Sequence, residues 1–365
     1  MKTKEIIVKP KGGREYPIRI GAGAVKSVAV EARAISKSCR ALVVTDKNVA
    51  KFHIDTLMKS LRAARIDAEA EIIPSGERYK NFSAYQRLIS RLASIDDTRD
   101  TIVIAFGGGV VGDLAGFAAA SYRRGIPLIQ VPTTLLSCVD SSVGGKTGFD
   151  LPEGKNLVGA FYQPRAVVAD LDFLITLPKR ELRAGMAEVI KYGFIMDAPF
   201  VSELESEMDK MLELDREAMA AAVERCCRLK AKVVAADERD DRDIRAILNF
   251  GHTFAHAIEA ACGYRNWRHG EAVGVGMVCA ADLSVILGLL KSDDAERIER
   301  LVIATGLPVT ITGAKPDELL EFMTKDKKTK GGKLRFILLN RIGRAFVSDT
   351  PGVKDIKEVL NKRIY

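Results

Sequence analysis

The chain has 365 residues, 47% of them apolar and 28% charged, with a formal net charge of +8. That length exceeds the ~250 to 300 residues at which a single hydrophobic core stops growing, so two domains are expected. Aromatics are sparse and acids alternate with bases along the helices, which argues against a nucleic-acid partner and leaves either a small anionic ligand or surface lysines alone as the reason for the charge. No apolar run approaches the ~20 residues that span a bilayer, and the amino terminus lacks a signal-peptide core, so a cytoplasmic protein with no membrane partner is expected. The six cysteines include no Cys-x-x-Cys pair, which argues against a four-thiolate zinc site and against a thioredoxin-like motif.

In chain order, residues 1 to about 30 alternate apolar and polar around Lys11-Gly-Gly, predicting a hairpin of edge strands. From Cys39 the pattern changes to short β-branched runs, Ala41 to Thr45, Ala68 to Ile73, Thr101 to Phe106, Pro127 to Val131 and Ala166 to Asp170. Amphipathic stretches such as Phe82 to Ala93 separate them, the signature of a parallel sheet with helical crossovers. Around Pro178 the strands stop, and from Glu181 to about Asp326 the spacing is helical, with a late hairpin over Lys333 to Leu339 and Arg344 to Val347. The expected architecture is an α/β domain over 1–180, Rossmann-like, and a mostly helical domain over 181–365, with the site in a cleft between them.

Several stretches carry chemistry. The strand ending at Phe106 runs into Gly107, Gly108, Gly109, Val110, Val111, Gly112 and Asp113 and then into a helix, a context in which backbone amides approach a phosphate or dinucleotide. The acid expected ~20 residues further on is missing, which leaves Asp46 and Glu77 as ribose-binding alternatives. A second glycine-rich stretch, Val139 to Gly148, ends Gly-Gly-Lys-Thr but lacks the upstream glycine of a P-loop. It reads as a loop presenting Asp140 and Lys146, followed by Lys155 and Asn156, and suits either an anion or plain solvent.

Glu188 and Lys191 lie three apart on a helix whose other residues are apolar, so the carboxylate is expected to be buried and either paired or bound to metal. Lys230 sits in a similarly apolar helix. Three of the four histidines, His252, His256 and His269, fall within one short window. His252 and His256 are four apart and share a helix face, which suits a zinc-like metal with Glu188 as a third ligand, or else core histidines bonded to backbone.

Taken together, Pro74-Ser-Gly-Glu-Arg-Tyr-Lys80, Gly107 to Asp113, Val131-Pro-Thr-Thr, Asp140 to Gly148, Gly154-Lys-Asn, Met186-Ala-Glu-Val-Ile-Lys, Leu248-Asn-Phe-Gly-His-Thr, His256-Ala-Ile-Glu, Trp267-Arg-His-Gly-Glu and Asp326-Lys-Lys make the chain resemble the 3-dehydroquinate synthases, a sugar-phosphate cyclase family. The resemblance implies NAD held by Asp46, Glu77, Lys80, the glycine loop with Asp113, Thr133, Thr134, Lys146, Lys155, Phe173 and Thr176. It implies a divalent ion, zinc or cobalt, on Glu188, His252 and His269, with His256 moved from ligand to proton relay or substrate contact. Asp140, Lys146, Lys155, Asn156, Lys191, Lys230, Arg245, Asn249 and Lys327 match the family's pocket for a sugar phosphate. Arg124 is expected to reach the neighbouring subunit of a homodimer. Ala255 stands where the family usually has glycine, and Asp240-Asp-Arg-Asp243 is more acidic than the usual turn. The implied reaction turns 3-deoxy-D-arabino-heptulosonate 7-phosphate into 3-dehydroquinate and phosphate with no net redox change. The rival readings are another sugar-phosphate cyclase and a metal-dependent polyol dehydrogenase.

Overall fold

The computed structural model describes residues 3–36, 40–96, 100–263, 266–328 and 334–365, without the side chains of 325–328. It divides into two compact units, Met1–Pro178 with Arg216–Arg239, and Lys179–Asp215 with Asp240–Tyr365.

The first unit opens on the antiparallel pair β1 (Lys4–Val8) and β2 (Tyr16–Gly21). There follow α1 (Lys26–Ile35), β3 (Arg40–Asp46), α2 (Lys47–Ala63), β4 (Asp67–Ile73), α3 (Phe82–Ile95), β5 (Thr101–Gly107), α4 (Gly109–Ser121), β6 (Leu128–Pro132), β7 (Lys146–Leu151), β8 (Gly154–Phe161) and β9 (Ala166–Asp170). Seven strands form one sheet in the order β1-β2-β9-β6-β5-β3-β4, parallel at every junction except β1–β2. β5, β6 and β9 are buried along their whole length, and they are continuously apolar because helices cover both faces. Alternate residues serve opposite sides. Val43, Ile102, Ile104 and Val168 pack with Val28, Leu57 and Leu61 of α1 and α2, while Leu42, Val44, Val103 and Ala105 pack with Leu88, Leu92 and Leu114 of α3 and α4.

Two expectations change here. β2 is not an edge strand, because it pairs with β9 on its far side and leaves only β1 at the edge. The glycine-rich stretch from Val139 is not simply a loop: a one-turn π-helix at Ser137–Ser141 leads into β7, which pairs with β8 as a separate hairpin. Glycines at Gly148 and Gly159 hid the strand signal. They face each other, and a Cβ on either would lie 2.3 Å from a carbonyl oxygen of the opposite strand.

The second unit begins with α5 (Lys179–Met196) and α6 (Ala198–Leu212). The chain then returns to the first unit for α7 (Arg216–Ala236), which packs on β1, β2 and the π-turn. A single cut at 180 misses this excursion, since α7 is as helix-periodic as its neighbours and its partners are distant in sequence. Back in the second unit come α8 (His252–Ala261), α9 (His269–Ile286), α10 (Ser292–Ala304), α11 (Pro316–Lys328), the hairpin β10 (Phe336–Arg341) with β11 (Arg344–Ser348), and α12 (Val353–Arg363).

α9 is apolar around its whole circumference, and α5, α8, α10, α12 and β10 pack about it. By length and composition it is the one helix among the described residues that could cross a membrane, but His269, Glu271 and Asp282 interrupt its apolar run and it is buried as the core of this unit. Two of its glycines set the packing. A Cβ on Gly270 would lie 1.9 Å from the Ala184 carbonyl oxygen of α5, and one on Gly276 2.1 Å from the Gly251 oxygen that opens α8. Ala255, the departure from the family's glycine, is fully buried within an unbroken α8. Gly276→Val should therefore push α8 off α9 and lower the unfolding free energy by about 1 to 3 kcal/mol or more. A denaturant midpoint equal to wild type, with unchanged slope, would contradict this packing.

Candidate functional site: a carboxylate and two imidazoles, and a nucleotide edge

The close approach of α5, α8 and α9 brings Glu188, His252 and His269 together, their ligand atoms all within 4.8 Å of one another. Nε2 of each imidazole stands 3.8 Å from Glu188 Oε1. The far ring nitrogens are already engaged. His252 Nδ1 donates to the Phe250 carbonyl at 3.2 Å, and His269 Nδ1 lies 3.5 Å from Glu259 Oε2. Each partner fixes a tautomer that leaves the Nε2 lone pair facing the carboxylate, as metal-ligating histidines require. Glu188 is 1% exposed; its Oε2 accepts from Lys191 Nζ, while Oε1 is buried with no hydrogen-bond partner among the described residues. A buried carboxylate oxygen left in that condition is costly unless a cation sits against it. These three residues therefore fit a divalent ion.

Protonation follows from the surroundings. Burial, with the Lys191 ammonium adding to it, holds His252 well below the ordinary imidazole range, so its ring is neutral and ready to ligate. Burial pulls His269 down most strongly, but Glu259 and Glu188 together outweigh it and leave it raised. The His256 ring is exposed, with its centroid 5.6 Å from that of His252 and 6.3 Å from that of His269. It is beside the triad but outside it. Glu259, 5% exposed, escaped the sequence reading. The signal was its place seven residues after His252, two helical turns along the same face.

In the first unit, the chain leaves β3 for β4 on one side and returns to β5 on the other, so the strand order reverses between β3 and β5. Ligands bind at the carboxyl ends of strands at such a point. Asp46 ends β3 and Gly107 ends β5. Gly108 caps α4 without a side-chain bond, so the amides of the first turn have no side-chain acceptor there. Gly107 has no room for a Cβ, which would lie 2.6 Å from Val111 Cγ2. Thr133, 4% exposed beyond the end of β6, has a buried hydroxyl with no hydrogen-bond partner among the described residues. Backbone amides beside a stranded hydroxyl fit a dinucleotide.

Other expected residues have structural duties here. Asp46 Oδ1 caps α2 by accepting from Asn48 N at 2.8 Å, and it accepts from Ser75 Oγ at 2.7 Å. Thr134 bonds Ser137 at 2.8 Å. Phe173 is in the core, its ring 4.8 Å from that of His53, and Thr176 Oγ1 is 2.6 Å from His53 Nε2. Glu77 is exposed in a short 3-10 turn. Lys80 joins Asp113 at 2.6 Å and Asn156 at 2.5 Å, so a residue expected on the sugar phosphate meets two expected on the nucleotide. Burial raises the Asp113 carboxyl to about 6 although Lys80 opposes it. Lys230, 5% exposed on α7, bonds both Oδ1 and the carbonyl of Asp140 at 2.6 Å. Lys146 and Asn249 are exposed, Lys155 is half-buried on β8 and Arg245 is buried. Arg124 is exposed with φ 63°. Asp243, in the acidic turn, pairs with Arg335 at 2.8 Å. The side chain of Lys327 lies outside the described residues.

Two family models, described as 3-dehydroquinate synthase N-terminal and 3-dehydroquinate synthase C-terminal, match residues 70–184 and 185–329. A 3-dehydroquinate synthase of Acidithiobacillus ferrooxidans is 51% identical over 337 residues, 92% of each chain. Among solved structures, a 2-epi-5-epi-valiolone synthase of Streptomyces hygroscopicus with NAD+ and Zn2+ bound is similar with a TM-score of 0.89 at 26% identity, covering 97% of this chain and 98% of that one. A 2-deoxy-scyllo-inosose synthase complexed with carbaglucose-6-phosphate, NAD+ and Co2+ gives 0.86 at 28%, over 99% and 100%. An NADH-dependent butanol dehydrogenase of Thermotoga maritima, at 15% identity and a TM-score of 0.65 over 98% of each chain, shares the fold alone.

If Glu259 sets the His269 tautomer, Glu259→Ala should weaken divalent-metal binding by about 10- to 100-fold in a chelator competition. The loss of affinity on acidification should also move to lower pH, because His269 then holds its proton less tightly. Affinity and pH dependence equal to wild type would refute the orienting role.

Proposed function

The chain belongs to the 3-dehydroquinate synthase family, and on that premise we propose that it converts 3-deoxy-D-arabino-heptulosonate 7-phosphate to 3-dehydroquinate and phosphate, a lyase reaction of the shikimate pathway. The observation that carries this reading is the Glu188, His252 and His269 cluster with its stranded carboxylate oxygen, in a chain 51% identical to a relative of that name. The substrate is oxidised at C5, loses phosphate by elimination, is reduced again at C5 and closes by an intramolecular aldol step. When bound, NAD supplies the hydride acceptor and donor, and the divalent ion a Lewis acid at the C5 oxygen.

The chain's own residues bind, orient and move protons. The amides of the Gly107–Gly112 stretch and the Thr133 hydroxyl hold the dinucleotide, helped by Asp46, Glu77, Lys80, Asp113, Thr134, Lys146, Lys155, Phe173 and Thr176. His256, exposed beside the triad, takes the C5 hydroxyl proton at its imidazole nitrogen. A substrate carrying a carboxylate and a phosphate calls for cations and amides, which Lys146, Lys191, Lys230, Arg245, Asn156, Asn249 and Lys327 provide, with Asp140 orienting Lys230. The departing phosphate serves as its own base, so holding it in place does much of the catalytic work.

We further read the protein as a cytoplasmic homodimer in which Arg124 enters the partner's pocket. Its exposed, left-handed position at the end of the α4 turn supports a reach outward. The net charge of +8 then serves a dianionic small molecule rather than nucleic acid.

Incubated with the heptulosonate phosphate and a trace of NAD, the protein should release phosphate far in excess of the nucleotide, with no net NADH. Stoichiometric NADH would identify a polyol dehydrogenase, and no phosphate would end the reading. His269→Ala should lose bound metal and nearly all turnover while keeping its circular dichroism; normal metal content would remove the site assignment. Arg124→Ala mixed with a Lys230→Ala variant should regain part of the activity, and failure to do so would count against a shared site.

A further inference from the structure

β7 and β8 do not match residue for residue. Leu151 pairs with Gly154 and Phe149 with Val158, so two steps along β7 correspond to four along β8, and the surplus lies opposite Asp150. Such a bulge re-aims a side chain. Asn156 sits within it at φ 56°, in the left-handed region that asparagine tolerates better than most residues.

Asp150 secures this conformation from two directions. Its Oδ1 accepts the Asn156 N–H at 2.8 Å, and its own N–H donates to the Lys80 carbonyl at 2.8 Å, next to a bridge between Asn81 and Asp150. Lys80 and Asn156, gripped at their backbones by the same residue, then meet through their side chains at 2.5 Å. Lys80 is 3% exposed and also holds Asp113, one turn into α4. The hairpin cannot drift from that helix, because Gly116 of α4 lets Thr147 of β7 so close that a Cβ there would lie 2.5 Å from Thr147 Cγ2.

We propose that Asp150 is a positioning residue: it holds the β8 bulge so that Asn156 stays on the Lys80 ammonium, tying a residue that meets the sugar phosphate to two that meet the nucleotide. This rests on the functional reading above. Nothing in the motif that assigns Lys80, Asp113 and Asn156 gives Asp150 a role. Its carboxylate holds the Asn156 N–H, and beside that bond its charge helps to raise Lys80.

The experiment is a double-mutant cycle on the full-length, metal-loaded protein. Asp150→Ala should lower kcat/KM for the heptulosonate phosphate by about 10-fold, the scale of one lost hydrogen bond, with the melting temperature little changed. Asp150→Asn, whose amide oxygen accepts the same N–H, should recover activity to within about two-fold of wild type. In an Asn156→Ala background, Asp150→Ala should cost clearly less than it does alone, because the route through Asn156 is already cut and only the loss of its charge near Lys80 remains. Wild-type kinetics in Asp150→Ala, no recovery in Asp150→Asn, or additive losses in the double variant would each overturn the proposal. A crystal structure of Asp150→Ala gives a readout independent of turnover: Asn156 Oδ1 should leave Lys80 Nζ, and finding it in place would overturn the proposal. Failure of the wild type to release phosphate would instead defeat the functional reading and leave that structural test standing.

Discussion

A carboxylate oxygen sealed from water with no hydrogen-bond donor is the condition on which the second unit turns. Glu188 Oε1 has no hydrogen-bond partner among the described residues, while its sister oxygen is taken by Lys191. Removing a carboxylate from water costs several kcal/mol even after relaxation, and one ammonium on one oxygen offsets that only in part. Two imidazoles aimed at the vacant side, each with its remote nitrogen committed elsewhere, complete the site for a cation. A salt bridge alone would need neither histidine. A metal site needs all three groups.

The surrounding fold is built to bring those groups close. α9 starts on His269, and Gly270 directly after it allows α5, carrying Glu188, to approach to backbone contact. One and a half turns on, Gly276 admits Gly251, the residue before His252. Three ligands on three helices are thus set by two glycines without side chains, and a methyl group at either would spread the site. The first unit uses the same device for a different ligand. Gly107 and Gly108 press the start of α4 against the strand ends, and Gly148 with Gly159 closes the hairpin that carries Lys146 and Asn156.

Much of this was legible in the sequence. β5, β6 and β9 could be read from their apolar runs, because strands buried on both faces are continuously apolar, while the edge strand β4 showed itself by alternation of Ala with Glu. That Glu188 and His252 cluster with His269, and not with His256, was expected only from the family resemblance, since spacing by four on a helix does not say which ring turns inward. What stayed hidden depends on contacts between distant segments. α7 has the periodicity of the helices around it, and its return to the first unit rests on Lys4, Cys138 and Asp140, which lie far away in sequence. The β7–β8 hairpin was concealed by glycines that weaken a strand signal while serving the pairing. Glu259 and Asp150 were missed for a related reason: each acts on a neighbour's orientation and looks, by residue type, like any surface acid.

X-ray absorption of the cobalt-loaded protein would test the central claim most directly. Two imidazole nitrogens at about 2.0 to 2.1 Å and a carboxylate oxygen at about 2.0 to 2.2 Å are expected around one ion per chain. A single strongly bound cobalt whose shell contains no imidazole, and which persists unchanged in Glu188→Gln, would contradict the account.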